Sequence, residues 1–142
     1  MHISLRKLDK ELPTPSRAHT GDAGLDLYAR HPVRLEPGER TTVDTGVAVA
    51  IPSGHAGLVL ARSGLASGYG IGVVNGPGLI DAGYRGEIRV VLVNLGAQRV
   101  DIARGDRVAQ LVIVPVVVVG IEVVESLEET ERGEAGFGSS GR

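Results

Sequence analysis

The chain has 142 residues and a formal net charge of −2, which is the length of one domain without the basic surplus of a nucleic-acid-binding protein. It contains no cysteine, which excludes a disulfide scaffold, a cysteine-ligated zinc site and a thiol nucleophile. Its 21 glycines, many valines and 3% aromatic residues favour strands and turns over a helical bundle.

Five segments in chain order carry strand patterns, in which apolar residues alternate with others or form short apolar runs bounded by turns. They are Thr41–Ile51, Gly57–Ala61, Ile88–Leu95, Arg99–Ala103 and Val108–Val119. Ile88–Leu95 is apolar on both faces, which predicts a central strand. Pro115 interrupts the last segment and predicts an edge, a bulge or a change of sheet there. The sequence therefore predicts an all-β fold, a jelly-roll-like barrel.

One short helix is predicted over Ser63–Tyr69, with Ser63 as its N-cap. The longest apolar run, Leu111–Ile121, is broken by Pro115 and falls short of the about 20 residues that span a membrane. The charged amino-terminal residues lack the apolar core of a signal peptide. We therefore expect a cytoplasmic protein with no membrane partner.

The chain divides by composition into a β-rich part, residues 1–124, and a tail, residues 125–142. The tail is polar and glycine-rich and has no core-forming pattern, so we expect it to be mobile. Its segment Gly136–Gly141 fits the pattern G-x-G-x-x-G, but the sequence lacks the β-α-β context that a dinucleotide site requires. Successive glycines can nevertheless place backbone N–H groups around phosphate oxygens.

Five stretches are richer in Gly, Asp, Arg and Ser than folding requires. They are Ala23–Ala29 (AGLDLYA), Ala61–Ala66 (ARSGLA), Asn75–Ile88 (NGPGLIDAGYRGEI), Gly105–Val112 (GDRVAQLV) and Arg132–Gly141 (RGEAGFGSSG). Arginine forks, hydroxyls and free backbone N–H groups are suited to binding phosphate. These stretches are therefore candidate parts of a nucleotide site.

Each polar candidate also has a structural interpretation. Asp81 is a candidate general base or the start of an Asx turn, and Tyr84 contacts a sugar or closes the core edge. Arg62 and Ser63 bind phosphate, or form a surface arginine and a helix cap. Four further residues, in otherwise apolar strands or in the tail, also have two interpretations, contact with a ligand or a purely structural role. They are Asp26, Gln110, Arg132 and Phe137.

The five stretches together resemble, in order, the five motifs of the trimeric dUTPase (deoxyuridine triphosphate nucleotidohydrolase) family. The match spans Ala23 to Gly141, and Asn75 stands at the expected distance before GLIDAGYRGEI. The chain has Ala61 where many members have proline. The resemblance implies a jelly-roll subunit, a homotrimer, and Mg²⁺-dependent hydrolysis of dUTP to dUMP and diphosphate. That reaction keeps uracil out of DNA and supplies dUMP for thymidylate synthesis.

The resemblance also implies a role for each matched residue. Asp81 orients the water that attacks the α-phosphorus, and Tyr84 packs under deoxyribose and rejects ribose. Asp26 supports the metal–phosphate region, either directly or through water, with Mg²⁺ held mainly on the triphosphate. The other roles follow the chemistry of the substrate. Asn75, Gly78, Leu79, Ile80 and the backbone at Arg89 recognise uracil; Arg62, Ser63, Gly64 and Gln110 hold the phosphates; Arg132, Gly138 and Ser139 close over them; and Phe137 covers the base.

By the same resemblance, each active site combines motifs one, two and four from one subunit, motif three from a second and the tail from the third. Two other functions remain open at this point. A dCTP deaminase of the same fold superfamily needs an acid–base group beside the cytosine amine, for which Glu87 is the other carboxylate in motif three. A non-enzymatic β-rich binding protein explains the valines and glycines but not the clusters of Asp, Arg and Ser.

Overall fold

The structure, a computed structural model, describes residues 1–141, so Arg142 at the end of the predicted tail lies outside the described part. The described chain forms eleven strands and one helix. In order they are β1 (Ser4–Lys7), β2 (Leu25–Tyr28), β3 (Val33–Leu35), β4 (Arg40–Asp44), β5 (Val47–Ala50), β6 (His55–Leu60), α1 (Ser63–Tyr69), β7 (Ile71–Val73), β8 (Gly78–Ile80), β9 (Arg89–Asn94), β10 (Val100–Ile102) and β11 (Arg107–Pro115).

The strands pair antiparallel in four sheets around one core. A four-stranded sheet has the order β2-β11-β6-β8 and a three-stranded sheet the order β4-β9-β7, with the pairs β1-β5 and β3-β10 beside them. The core is built from aliphatic side chains of these strands, among them Leu27, Leu35, Leu92 and Leu111, each at most 1% exposed. The predicted all-β class is confirmed, and β9 is central in its sheet as predicted.

The predicted strand Thr41–Ile51 is two strands, β4 and β5, and the break falls at Gly46. Gly46 has a φ of +72°, a conformation that disfavours any residue with a Cβ. A Cβ there would also lie 2.8 Å from the Cβ of Asp9. The turn therefore depends on glycine, and it lets the amino-terminal segment pack closely against the barrel.

Hydrogen bonds and ion pairs fix that amino-terminal segment in place. The Gly46 carbonyl accepts hydrogen bonds from the N–H groups of Leu8 and Asp9, at 2.7 and 3.1 Å. The Asp9 carboxylate pairs with Arg104 at 2.6 Å and lies 3.6 Å from Arg30. The hydrogen bond from Arg104 is the main cause that holds the pKa of Asp9 far below its usual range.

The helix covers the predicted residues, but its cap differs from the prediction. Arg62 occupies the N-cap position and Ser63 is the first helical residue, with no side-chain capping hydrogen bond. The last strand ends at Pro115, four residues before the predicted end at Val119. The proline cannot donate to a ladder, so the chain leaves the sheet where it occurs.

After β11 the described chain consists of exposed backbone with isolated turns. The side chains of Val117, Ile121, Val123 and Phe137 are between 87% and 115% exposed. The hydrogen bonds made within Thr130–Gly141 are local, such as Ala135 N–H to the Arg132 carbonyl at 3.1 Å. In residues 1–141 no helix has the length and apolarity needed to cross a membrane.

Asn94 is the polar residue most deeply buried in the barrel. Its side chain is fully buried and its amide donates to the carbonyls of Leu35 at 3.0 Å and Gln98 at 2.8 Å. Its side-chain oxygen accepts from the N–H of Gly96 at 2.9 Å. One side chain thus links the end of β9 to β3 and to the turn before β10.

We predict that Asn94→Ala lowers the free energy of unfolding by about 3 kcal/mol, since it removes three hydrogen bonds worth about 1 kcal/mol each. Urea unfolding followed by circular dichroism measures the change. Gln98→Ala is the control, because its exposed side chain is removed while its carbonyl remains. Equal stability of the two variants would contradict the role assigned to Asn94.

Candidate active site

The predicted base-binding and catalytic residues line one cavity of about 450 Å³, which we call the hairpin cavity. It lies over β8 and the turn that follows this strand. Its walls also include Thr42, Val59, Val73 and Glu87. The predicted residues that it brings together are Asn75, Gly78, Leu79, Ile80, Asp81, Tyr84 and Arg89.

Tyr84 is held against its own turn by two hydrogen bonds and a close backbone contact. Its N–H donates to the Asp81 carbonyl at 3.0 Å, and its hydroxyl donates to the Glu87 carbonyl at 2.9 Å. The hydroxyl oxygen occupies the place where a Cβ on Gly86 would lie. The absence of a side chain at Gly86 therefore allows the ring to fold over the turn, with 40% of Tyr84 still exposed.

The predicted phosphate-binding residues line a second cavity of about 420 Å³, which we call the Arg62 cavity. It lies where β2, β6, β11 and the start of α1 meet. Leu60 and Asp22 contribute to the same wall. The predicted residues brought together here are Asp26, Arg62, Ser63, Gly64 and Gln110.

Asp26 bridges two arginines at the edge of the Arg62 cavity. One carboxylate oxygen lies 3.3 Å from Nε of Arg62 and the other 3.4 Å from Nη1 of Arg107. Arg62 also donates to the Arg107 carbonyl at 3.3 Å. The pairing orients Arg62 at the cavity, with Arg107 outside its lining, and leaves neither oxygen of Asp26 free of a cation.

Gln110 connects the second, fourth and first motifs. Its amide nitrogen donates to the Ala61 carbonyl at 3.0 Å. Its side-chain oxygen lies where a Cβ on Gly24 would be, so Gly24 permits the close approach of β2. Gln110 therefore fixes the residue that precedes Arg62 and satisfies a polar group inside an apolar strand.

Four carboxylates line the two cavities, and three of them are engaged with neighbours. Asp22 accepts a hydrogen bond from the N–H of His19 at 2.9 Å, and Asp26 is paired with two arginines as described. Glu87 accepts from the N–H of Gly46 at 2.7 Å and from Arg30 at 3.3 Å. Among these four carboxylates of the described residues, Asp81 is the one with neither an ion pair nor a side-chain hydrogen bond, and it is exposed and available to a bound water.

The two cavities draw on opposite faces of β6. Val59 lines the hairpin cavity and the next residue, Leu60, lines the Arg62 cavity. Successive side chains of a strand point to opposite faces of the sheet. One chain therefore presents the two halves of the predicted site in different directions.

The predicted tail residues do not line either cavity in the single chain. Phe137 is fully exposed, and Arg132 donates to the carbonyl of Ala135, three residues away, at 2.9 Å. Gly138 and Ser139 lie in exposed turns beside it. The described chain thus leaves its fifth motif separate from the other four.

Sequence reasoning missed two arginines, Arg107 and Arg30, each of which holds a carboxylate at a cavity. Arg107, within the stretch GDRVAQLV, pairs with Asp26, and a cation next to this motif could have suggested it. Glu87 was considered as an acid–base group, whereas the structure engages it with Arg30 and Gly46. Arg30 lies 57 residues from Glu87, so local sequence carried no signal for the pair.

The side chains at the cavities fit a metal ion that is bound by a ligand rather than coordinated directly by the protein. The described residues contain no cluster of three or more His, Cys, Asp or Glu side chains. Direct coordination by Asp26 would have to replace its contacts with Arg62 and Arg107, whereas a metal-bound water can reach its oxygens beside them.

Comparison with known proteins identifies the architecture. A model of the dUTPase family matches residues 10–141. The deoxyuridine 5'-triphosphate nucleotidohydrolase of Rhodococcus erythropolis is 54% identical over 99% of this chain and 87% of its own length. The protein of the same name from Corynebacterium glutamicum is also 54% identical, over 99% of this chain and 95% of its own length.

Solved structures agree with these relatives. A variant of the Staphylococcus bacteriophage 80alpha dUTPase with dUpNHpp superposes with a TM-score of 0.92 and is 34% identical, covering 99% of both chains. A variant dUTPase from phage phi11 of S. aureus has a TM-score of 0.82 and is 31% identical, covering 91% of this chain and all of that one. That phage structure reveals the coordination of a structural Mg(II) ion.

Proposed function

The chain belongs to the dUTPase family, and from that membership we propose how its own residues hydrolyse dUTP to dUMP and diphosphate. The observation that carries the proposal is the state of the cavity carboxylates. Three of the four are engaged by neighbours, and Asp81 is exposed next to the cavity that holds the predicted base-binding residues. A carboxylate in that state can accept a hydrogen bond from the attacking water.

In the proposed reaction Asp81 orients a water for in-line attack on the α-phosphorus, and diphosphate leaves. The Asp81 carboxylate follows Leu79 and Ile80, which are fixed by the pairing of β8 with β6. A base mounted at the end of a paired strand loses little freedom when the substrate binds. Positioning of this kind supplies much of the rate enhancement in phosphoryl transfer.

The base and sugar of the substrate fit the hairpin cavity. The Asn75 amide lies 3.5 Å from the Cβ position of Gly78, so the amide is next to the backbone of β8 that is proposed to recognise the base edge. The backbone donors and acceptors at Leu79, Ile80 and Arg89 complete uracil recognition. The Tyr84 ring packs under deoxyribose, and a 2′-hydroxyl would collide with it.

The triphosphate fits the Arg62 cavity. Arg62, Ser63, Gly64 and Gln110 contribute a guanidinium, a hydroxyl, backbone N–H groups and an amide, which are suited to phosphate oxygens. A Mg²⁺ ion held by the triphosphate would neutralise the charge of the substrate and of the leaving diphosphate. Asp26 would accept hydrogen bonds from waters on that ion while it orients Arg62 toward the phosphates.

We further propose that the enzyme works as a homotrimer. The hairpin and Arg62 cavities draw on opposite faces of β6, so the base-binding half of one subunit must face the phosphate-binding half of another. The tail reaches a third site, where Arg132, Gly138 and Ser139 close over the phosphates and Phe137 covers uracil. Closure of such a lid excludes bulk water during the reaction.

The structure disfavours the deaminase alternative. A deaminase needs Glu87 to exchange protons with the substrate amine, but this carboxylate already accepts hydrogen bonds from Gly46 and Arg30. Those contacts favour a structural role for Glu87 and leave Asp81 as the base.

We expect diphosphate release from dUTP to exceed release from dCTP, dTTP and UTP by at least about a hundredfold in kcat/KM. Backbone groups that pair with uracil reject the cytosine edge, the backbone close to the base excludes the 5-methyl group of thymine, and Tyr84 excludes the 2′-hydroxyl of UTP. A coupled diphosphate assay across the four nucleotides measures it. Ammonia release from dCTP would instead support the deaminase, and equal turnover of all four nucleotides would contradict the proposed specificity.

Asp81→Asn is expected to lower kcat by at least about a hundredfold, because an amide cannot accept the proton of the attacking water. Calorimetry with a non-hydrolysable dUTP analogue should still show binding close to that of the wild type. Asp22→Asn is a matched control on the other cavity wall. Wild-type turnover by Asp81→Asn would remove this residue from the catalytic role.

Truncation after Glu131 removes the fifth motif and is expected to lower kcat/KM by about a hundredfold through loss of positioning. The trimer should persist, because the removed residues are exposed and make local hydrogen bonds. Light scattering and steady-state kinetics test the two expectations separately. Full activity of the truncated protein would refute the lid role.

A further inference from the structure

We propose that Glu87, held by Arg30, is a positioning residue that sets the discrimination between deoxyribose and ribose by fixing Tyr84. This inference rests on the proposed function, in which Tyr84 packs under the sugar. Glu87 does not itself contact the sugar in this proposal. It acts through its backbone carbonyl, which accepts the hydroxyl of Tyr84 at 2.9 Å.

The side chain of Glu87 is anchored in the barrel. It is 19% exposed, and Oε1 accepts the N–H of Gly46 at 2.7 Å. Both of its oxygens lie 3.3 Å from Nη1 of Arg30. A half-buried carboxylate with these partners holds its own backbone close to the β4–β5 turn.

The next residue strengthens the same anchor. The Ile88 N–H donates to the Val47 carbonyl at 2.8 Å, and the Ile88 carbonyl accepts the buried hydroxyl of Thr45 at 2.6 Å. The peptide unit between Glu87 and Ile88 thus carries an N–H bonded to the barrel and a carbonyl bonded to Tyr84. Glu87 adds the contact that fixes this unit on its amino-terminal side.

Arg30 is in turn fixed from several directions. Its N–H donates to the Asp44 carbonyl at 2.8 Å, and its carbonyl accepts Arg104 at 2.7 Å. Its Nε faces Asp9 at 3.6 Å. The chain of contacts therefore runs from the amino-terminal segment through Arg30 and Glu87 to the ring of Tyr84.

The sugar-facing position of Tyr84 is otherwise weakly constrained. The residue is 40% exposed, and its ring rests on Gly86, which has no side chain to hold it. The hydroxyl bond to Glu87 is therefore the main restraint at the far end of the ring. A ring that is free to move away from the sugar would leave space for a 2′-hydroxyl.

The experiment compares kcat/KM for dUTP with kcat/KM for UTP in Glu87→Gln and in Arg30→Met. We expect this ratio to fall about fivefold in each variant, the effect of about one hydrogen bond. Most of the fall should come from better use of UTP, with kcat for dUTP within about twofold of wild type. Arg34→Met is the matched control, since the exposed side chain of Arg34 pairs with Asp101 at 2.9 Å and Arg34 does not line the hairpin cavity.

A double-mutant cycle with Tyr84→Phe separates positioning from general stability. Because this variant lacks the hydroxyl, adding Glu87→Gln should lower the ratio no further. An unchanged ratio in the Glu87 and Arg30 single variants would overturn the inference, as would an equal further fall in the Tyr84→Phe background. If Glu87→Gln fails to fold, Arg30→Met and Arg30→Lys carry the same test.

Tyr84→Ala distinguishes the inference from the function beneath it. If Tyr84→Ala lowers the ratio while the Glu87 and Arg30 variants do not, only the present inference fails. If Tyr84→Ala keeps the wild-type ratio, the role proposed for Tyr84 fails and the inference fails with it. Diphosphate release from dUTP by the wild type tests the enzymatic function independently of both.

Discussion

Alternation along β6 is the constraint on which the arrangement of the site depends. Val59 and Leu60 are neighbours in sequence, yet they line different cavities because successive side chains point to opposite faces. β6 is hydrogen-bonded to β8 on one side and to β11 on the other, so the strand cannot twist to bring residues of its two faces together. A rigid sheet of this kind holds the two half-sites apart within one chain. This separation is what motivates the proposal that complementary halves from different subunits form each site.

The charged side chains at the two cavities include ion pairs that hold their neighbours and one carboxylate, Asp81, without such a partner. Asp26 holds Arg62 and Arg107, and Glu87 is held by Arg30. These pairs are partly buried, and they hold the side chains that they join in fixed orientations. Asp81 is exposed and has no such pair, which agrees with the proposal that it binds and orients water.

Three glycines leave space for neighbouring groups to pack closely against the backbone. Gly24 admits Gln110, Gly86 admits the hydroxyl of Tyr84, and Gly46 admits the amino-terminal segment. In each case a Cβ would occupy space that a functional or anchoring group already fills. Part of the high glycine content thus reflects close approach of backbone to side chain, in addition to turns.

The sequence by itself determined the β class, the short helix, the central position of β9 and the family, because strand periodicity and short motifs are local properties. The predicted residues of four motifs line two cavities in the structure, and their roles in binding and catalysis remain predictions. Sequence reasoning missed the break at Gly46, since the alternation of apolar residues continues through the turn. Only the tertiary structure decided that Arg30 meets Glu87 and that Arg107 meets Asp26. Those pairings join residues 57 and 81 positions apart, and strand register, which no local pattern encodes, brings them together.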